Sequence, residues 1–69
     1  MAEPKLANGL KAARTRLSLT QADLAERVGV TRKTINTVEN GVFVPSTVLA
    51  LRLAQALGEP VESLFWIEP

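Results

Sequence analysis

A polar stretch between Thr31 and Thr37 combines residue types that hydrogen-bond to flat polar surfaces. Arg32 and Lys33 carry cationic donors, and Asn36 carries an amide that both donates and accepts. Arginine and lysine pair with the acceptors of guanine, asparagine pairs with adenine, and a threonine methyl contacts the methyl of thymine. The sequence therefore predicts contact with DNA base edges by Thr31, Arg32, Lys33, Asn36 and Thr37. For Arg32 and Lys33 the alternative is contact with phosphate alone.

Two short amphipathic helices would place these residues on one outward surface. Apolar residues recur at helical spacing within residues 21–28 and again within residues 32–39. Gly29 lies between the two segments, where a helix would end with a positive φ, and Thr20 and Thr31 are suited to cap the helix starts. The apolar positions are Leu24, Val28, Ile35 and Val38. This arrangement is typical of a DNA-binding helix-turn-helix, with an ordinary pair of packed helices as the alternative.

Composition restricts the remaining classes of function. The chain has 69 residues, 46% of them hydrophobic but only 4% aromatic, which predicts one small domain with an aliphatic core. It contains no cysteine and no histidine, so a disulfide, a thiolate zinc site and the commonest general base are all excluded. No catalytic site, metal or cofactor is expected. The alternative class is an enzyme, but the sequence contains neither a nucleophile paired with a base nor a phosphate-binding loop to support that interpretation.

Charge is distributed unevenly along the chain, although the formal net charge is only +1. Most basic residues precede residue 34, and most acidic residues follow it. The basic residues in that part include Lys11, Arg14, Arg16, Arg27, Arg32 and Lys33. A basic front and an acidic back would suit a protein that places one face on phosphate. The alternative is that most of these charges are ordinary solvated helix surface.

Caps and breakers divide the chain into five predicted helices. We expect an all-α fold, a compact five-helix bundle with a short extended C-terminal tail, preceded by a flexible leader over residues 1–7. The helices are predicted at 8–17, capped by Asn8, and at 21–28, 32–39, 47–57 and 61–64. The fourth is apolar on more than one side, which predicts that it is the most buried.

These segments closely resemble the Cro/repressor-type (xenobiotic-response-element-like) regulators. The resemblance is carried by LTQADLAERVGVTRKTINTVENG, ALRLAQALG and VESLF, and it covers about residues 8–65. It implies a lambda-repressor-like DNA-binding domain over residues 8–64. It also implies a homodimer on a palindromic double-stranded operator, acting in repression of transcription. The short chain is similar to the small stand-alone members, which have no ligand-sensing domain.

The resemblance also implies roles outside the base-reading stretch. Gln21 would meet a DNA phosphate at the start of its helix, and Thr34 lies at a flank where phosphate is within reach. The loop over residues 40–44, including Asn40 and Phe43, would offer backbone N–H groups to phosphate, while the Phe43 side chain anchors the loop to the core. An ion pair between Arg14 and Glu39 would tie the base-reading helix to the bundle.

Three large apolar residues near the C-terminus, Phe65, Trp66 and Ile67, are not explained by one face of the bundle. An exposed apolar patch is typical of a contact with a second copy. We therefore predict a dimer contact over residues 65–69, with the two extended tails pairing antiparallel. The alternative is that Phe65 and Ile67 fold back onto the core of a monomer.

A second function within the same fold is that of an antitoxin that represses its own operon, with a toxin as its partner. Copurification with a small toxic ribonuclease would distinguish it from a plain repressor. The first nine residues lack the apolar run of a signal peptide, and no stretch approaches the length of a membrane span. These features lead us to expect a cytoplasmic protein with no membrane partner.

Overall fold

Five helices and two short strands make up the computed structural model, which describes residues 5–69. In chain order they are β1 (Lys5–Asn8), α1 (Leu10–Arg16), α2 (Gln21–Val28), α3 (Arg32–Glu39), α4 (Thr47–Leu57), α5 (Val61–Leu64) and β2 (Phe65–Glu68). The bounds of α2 to α5 agree with those predicted from periodicity and caps. Within residues 5–69, none of these helices combines the length and the apolar character needed to cross a membrane.

The turn between α2 and α3 has the predicted construction. Thr20 Oγ1 accepts a hydrogen bond from the backbone N–H of Asp23 at 3.0 Å, and the Asp23 carboxylate accepts one from the N–H of Thr20 at 2.9 Å. This reciprocal cap fixes the start of α2. Gly29 ends α2 with φ of 76°. This left-handed conformation is unfavourable for any residue that has a Cβ atom, but not for glycine. The chain therefore reverses sharply before α3 begins.

The core forms where the helices meet, with α2 packed against both α3 and α4. The largest side chains with essentially no exposure are Leu10, Leu24, Ile35, Leu53, Leu64 and Val38. Burial of one such side chain contributes roughly 1.5–3 kcal/mol to stability. Because Ile35 and Val38 point inward from α3, the opposite side of α3 faces solvent.

Strand β1 pairs antiparallel with β2, so the fold is only approximately all-α. Leu6 lies opposite Ile67, and Asn8 lies opposite Phe65. Residues 5–7 thus belong to a paired strand rather than to the leader predicted over residues 1–7, of which residues 1–4 lie outside the described part. The tail is extended as predicted. It pairs with the chain's own N-terminal segment because that segment satisfies the backbone groups along one edge.

Helix α1 begins two residues later than predicted. It runs from Leu10 to Arg16, and Asn8 belongs to β1. The Asn8 side chain nevertheless accepts a hydrogen bond from the N–H of Leu10 at 3.1 Å. It thereby satisfies one of the N–H groups that the first turn of a helix leaves without an intrahelical acceptor.

Helix α4 is less covered than predicted. Leu53 is fully buried, but Val48 is 62% exposed and Leu51 is 50% exposed. The helix packs against α2 and α5, and no other element covers its outer face within residues 5–69. A domain of this size has too few elements to enclose a helix on every side.

Candidate nucleic-acid interface

The start of α3 is fixed by Thr31. Its backbone is extended, with φ of −83° and ψ of 157°, and its Oγ1 accepts a hydrogen bond from the N–H of Thr34 at 3.2 Å. The hydroxyls of Thr31 and Thr34 also lie 3.0 Å apart and form a hydrogen bond with each other. Because a side-chain cap holds the first turn, the residues that follow it project at defined angles.

The outward side of α3 carries the polar residues that the sequence singles out for base contact. Arg32, Lys33 and Asn36 are exposed. The structure shows no ion pair for Arg32 or Lys33 with any residue from 5 to 69. Thr37 is half-buried, and its hydroxyl donates to the carbonyl of Thr34 at 3.0 Å. Four of the five predicted residues therefore lie on one accessible side of α3: Arg32, Lys33, Asn36 and Thr37. The fifth, Thr31, lies at the start of the helix.

Gln21, the first residue of α2, has a side chain that is already engaged. Its Nε2 donates to Glu39 Oε1 at 3.1 Å. Its backbone N–H belongs to the first turn of the helix, where no intrahelical acceptor exists and the helix dipole favours an anion. Arg32 lines the same shallow depression as Gln21 and Thr20. A cation and a helix start thus lie side by side at this edge of the surface.

The Asp23 carboxylate contributes negative charge to the first turn of α2. The backbone N–H of Thr20 donates to it, and this hydrogen bond lowers the pKa of Asp23 below its ordinary value. Asp23 therefore remains ionised through the neutral range. A phosphate at the start of α2 would have to approach from the side of Gln21, away from that charge.

The loop after α3 uses its backbone N–H groups internally. The N–H groups of Val42 and Phe43 both donate to the carbonyl of Thr37, at 2.9 and 3.2 Å, and that of Gly41 donates to Val38. The Asn40 N–H donates to Asn36. These bonds satisfy the last carbonyls of α3. The backbone contacts to phosphate expected from this loop would require these bonds to be shared.

Phe43 lies outside the core, contrary to the anchoring role expected for its side chain. The residue is 47% exposed. It lines an open groove of about 430 Å³ between the loop and the sheet, together with Leu6, Val44 and Phe65. The sequence treated the loop and the tail as separate features, whereas the structure brings them to the two sides of one groove.

Two of the basic residues in the first half of the chain are paired. Arg14 Nε lies 2.8 Å from Glu39 Oε2, and the two side chains are only 12% and 5% exposed. This is the ion pair that the resemblance implies. Arg16 Nη2 lies 2.8 Å from Glu59 Oε2 at the surface. The positive field of the front is therefore smaller than the count of basic residues suggests.

The three apolar residues of the tail have different surroundings. Phe65 is half-buried against the core. Trp66 is 42% exposed, and its ring covers Gly9, whose Cβ position would lie 3.5 Å from the ring edge. Ile67 is 62% exposed and has only Leu6 opposite it in the sheet. Of the three apolar residues, Ile67 is the one least covered by residues 5–69.

Comparisons with known proteins agree with this geometry. A family model described as helix-turn-helix matches residues 10–64. An uncharacterized HTH-type transcriptional regulator of Methanothermobacter thermautotrophicus is 54% identical over 56 residues, which cover 80% of this chain and 81% of the relative. The uncharacterized HTH-type transcriptional regulator YgzD of Bacillus subtilis is 43% identical over 61 residues, covering 88% and 92% of the two chains.

A solved structure shows the same fold. The restriction-modification controller protein C.AhdI from Aeromonas hydrophila superposes with a TM-score of 0.75 at 35% sequence identity. The superposition covers 78% of this chain and 82% of that chain. The fold, the family model and the outward polar side of α3 all lead to the same class of protein.

Proposed function

The chain belongs to the helix-turn-helix family of DNA-binding transcriptional regulators, the XRE or Cro/repressor type, and on that premise we propose that it represses transcription as a homodimer on a palindromic operator. In this proposal α3 enters the major groove, and Thr31, Arg32, Lys33, Asn36 and Thr37 contact base edges. The N-terminal residues of the second motif helix are the ones that reach bases in this geometry.

The observation that carries the proposal is the outward side of α3. It presents two exposed cations, Arg32 and Lys33, and one exposed amide, Asn36, while Ile35 and Val38 hold the other side in the core. Cations that are unpaired within residues 5–69 remain available for guanine acceptors and phosphates. Any surface helix separates polar from apolar sides, so the support comes from the two unpaired cations and the amide close to the capped start of α3.

Phosphate contacts would flank α3 on both sides. We assign the backbone N–H of Gln21 to one phosphate, since it lies at a helix start, and Thr34 to the same side of the groove. On the other side we assign Asn40 and Phe43, whose loop would approach the DNA backbone. Their N–H groups already donate to carbonyls of α3, so a phosphate would share these hydrogen bonds.

The dimer contact would be made by the tail, with Ile67 at its centre. Antiparallel pairing of β2 with the partner's β2 would extend each two-stranded sheet into one of four strands, satisfying the open edge. It would cover Ile67 and part of Trp66, which are 62% and 42% exposed. A two-fold dimer of this family places its two reading helices about one DNA turn, or roughly 34 Å, apart.

Selection of bound sites from random duplex DNA tests the first part of the proposal. The salt concentration must be stated, because the phosphate contribution to affinity depends on it. We expect a palindromic consensus with half-sites about 10 base pairs apart. A reporter promoter overlapping that consensus should lose activity when the protein is expressed. If no sequence is enriched, specific recognition is contradicted. If reporter activity rises, repression is contradicted.

Sedimentation of two matched variants tests the dimer contact. Ile67→Lys and Val48→Lys each replace a β-branched residue that is 62% exposed with a lysine, one on the tail and one on α4. We expect the unaltered chain and Val48→Lys to sediment as dimers at tens of micromolar and Ile67→Lys as a monomer. If the unaltered chain is a monomer, or if Ile67→Lys remains a dimer, the tail is not the contact.

A further inference from the structure

The side chain of Asn8 joins three elements that are far apart in sequence. Its Nδ2 donates to the carbonyl of Val38 at 3.1 Å and, at 3.4 Å, to that of Glu39. Its Oδ1 accepts the N–H of Leu10 at 3.1 Å. One half-buried amide thus contacts the last two residues of α3 and the first residue of α1, while its own backbone lies in β1.

The orientation of this amide follows from its partners. Two carbonyl oxygens require a donor and one N–H requires an acceptor, so only one assignment of the amide oxygen and nitrogen satisfies all three. The carbonyls of Val38 and Glu39 belong to the last turn of α3, where no intrahelical N–H reaches them, and that of Val38 also accepts the N–H of Gly41 at 3.1 Å. Asn8 supplies such a donor from the sheet.

The segment that carries Asn8 is bonded to the tail at the same point. Asn8 is in register with Phe65, and the next residue, Gly9, donates its N–H to the carbonyl of Leu64 at 2.9 Å. The Trp66 ring covers Gly9. The segment that carries Asn8 is therefore fixed to the tail, and through the Asn8 amide the tail is fixed to the C-terminal end of α3.

We propose that Asn8 is a positioning residue for DNA reading, which sets the C-terminal end of α3 relative to the sheet. The inference rests on the proposed function of α3. The helix has only eight residues, and the side chains of Asn36 and Thr37 are within three residues of its end. A small rotation of that end displaces these groups from the base edges, while the cap at Thr31 still holds the start. In the dimer, the Asn8 amide also connects the reading helix to the strand that meets the partner.

Two substitutions separate the contacts of Asn8. Asn8→Asp retains an oxygen for the N–H of Leu10 but removes the donor to α3 and directs a negative charge at its carbonyls. Asn8→Ser is neutral, retains a hydroxyl that can cap the first turn of α1, and is too short to reach α3. Gln55→Glu introduces the same change of charge as Asn8→Asp at an exposed position on α4. Ala56→Gly lowers the helix propensity near the end of α4 and leaves the residues of α3 unaltered.

The readouts are affinity for the duplex selected from the random pool, affinity for a random duplex at the same salt, and amide hydrogen exchange at Gly41 and Val42 in the free protein. All are measured well below the unfolding midpoint of each variant. For Asn8→Asp and Asn8→Ser we expect about a tenfold loss on the selected duplex, as for the loss of one buried hydrogen bond, with a smaller loss on random DNA. We also expect faster exchange at both amides, since they bond to the end of α3.

The controls decide between positioning and general stability. Gln55→Glu and Ala56→Gly should retain the ratio of the two affinities. The proposal is overturned if the ratio of the two affinities falls no further in the Asn8 variants than in Ala56→Gly. It is also overturned if hydrogen exchange at Gly41 and Val42 is unchanged. Failure to select any duplex would instead contradict the DNA-reading function itself, and the exchange measurement would still decide whether Asn8 holds α3.

Discussion

Arg14 and Glu39 join the first and third helices through two parallel hydrogen bonds. Arg14 Nε donates to Oε2 at 2.8 Å, and Nη2 donates to Oε1 at 3.2 Å. The side-chain hydrogen bond to Glu39 raises the pKa of Arg14 above its already high ordinary value, so the guanidinium stays charged. Arg14 Nη1 also donates to the carbonyl of Leu19 at 2.9 Å, and Gln21 shares the Glu39 carboxylate. The end of α3 and the start of α2 are thereby held by one group.

Removal of Arg14 should destabilise the domain strongly. Arg14→Ala leaves the Glu39 carboxylate, in a side chain that is 5% exposed, without its cation. We expect a loss of about 3 kcal/mol in the free energy of unfolding, measured with urea. Arg16→Ala is the control, since the Arg16 side chain is 66% exposed in its ion pair with Glu59, and exposed pairs contribute less than about 1 kcal/mol. Equal losses for the two variants would contradict the structural role of Arg14.

Replacement of Lys33 should reduce specificity more than general affinity. Lys33→Ala is expected to cost roughly 1–3 kcal/mol on the selected duplex and less on random DNA, because we propose a base contact for Lys33. Gln21→Ala retains the backbone N–H assigned to phosphate and removes only the side-chain donor to Glu39, so we expect a small loss that is equal on the two duplexes. The measurement is a titration of both duplexes at several salt concentrations. Equal losses for Lys33→Ala on the two duplexes, with a salt slope smaller by about 1, would indicate a phosphate contact instead.

Substitution of Gly29 should reveal backbone strain rather than a clash. A Cβ atom at this position would have only Arg52 Nη1 near it, at 3.9 Å, but φ is 76°. Gly29→Val should therefore lower the free energy of unfolding by at least roughly 1–2 kcal/mol, the cost of a left-handed residue with a Cβ atom. Each kcal/mol corresponds to a drop of about 4–8 °C in the unfolding midpoint. Gly29→Asn should lose less, since asparagine tolerates this conformation.

The control for that experiment is Gly9→Ala. Gly9 has φ of −111°, and its added Cβ atom would make an ordinary contact with the Trp66 ring. We expect little change in the unfolding midpoint. A midpoint for Gly29→Val that matches the unaltered chain would mean that the turn does not need a left-handed residue.

The cap formed by Asp23 should make stability depend on pH at its acidic end. Its pKa in the folded chain is lowered by the N–H of Thr20, so its contribution is fully present above the unfolded value, near 3.9. The contribution is lost as the pH falls through the lower folded pKa. We expect the difference in unfolding midpoint between the unaltered chain and Asp23→Asn to be constant at neutral pH and to narrow on acidification. A difference that widens toward acid would contradict the cap.

Most of the helical framework could be predicted from the sequence because its signals are local. Thr20, Thr31 and Ser46 cap the starts of helices, and Gly29 and Gly58 end them with positive φ. Each acts within three or four residues of its own position. The outward exposure of α3 follows from helical periodicity in the same way.

The sheet could not be predicted, because its two four-residue strands lie at opposite ends of the described chain and neither is convincing alone. Strand β1 (Lys5–Asn8) has only two apolar residues. Its pairing with β2 depends on the helical bundle, which brings the two strands together. The same holds for Asn8, whose bonds to Val38 and Glu39 span about 30 positions. The exposure of Phe43 is not predictable from its own apolar character, because it depends on how the loop N–H groups of Val42 and Phe43 bond back to Thr37 and on the groove that the loop forms with the sheet.

The pairing of Lys5 with Glu68 gives this small helical domain one contact that closes nearly the whole chain into a loop. Local helical contacts form quickly, whereas bringing such distant segments together carries a large loop-closure entropy. We expect the sheet to form last in folding and to open first in the native state. Because Asn8 lies in that sheet, each opening would release the end of α3 while the rest of the bundle stays folded. Recognition of DNA would then be linked to the slowest-forming and least protected part of the domain.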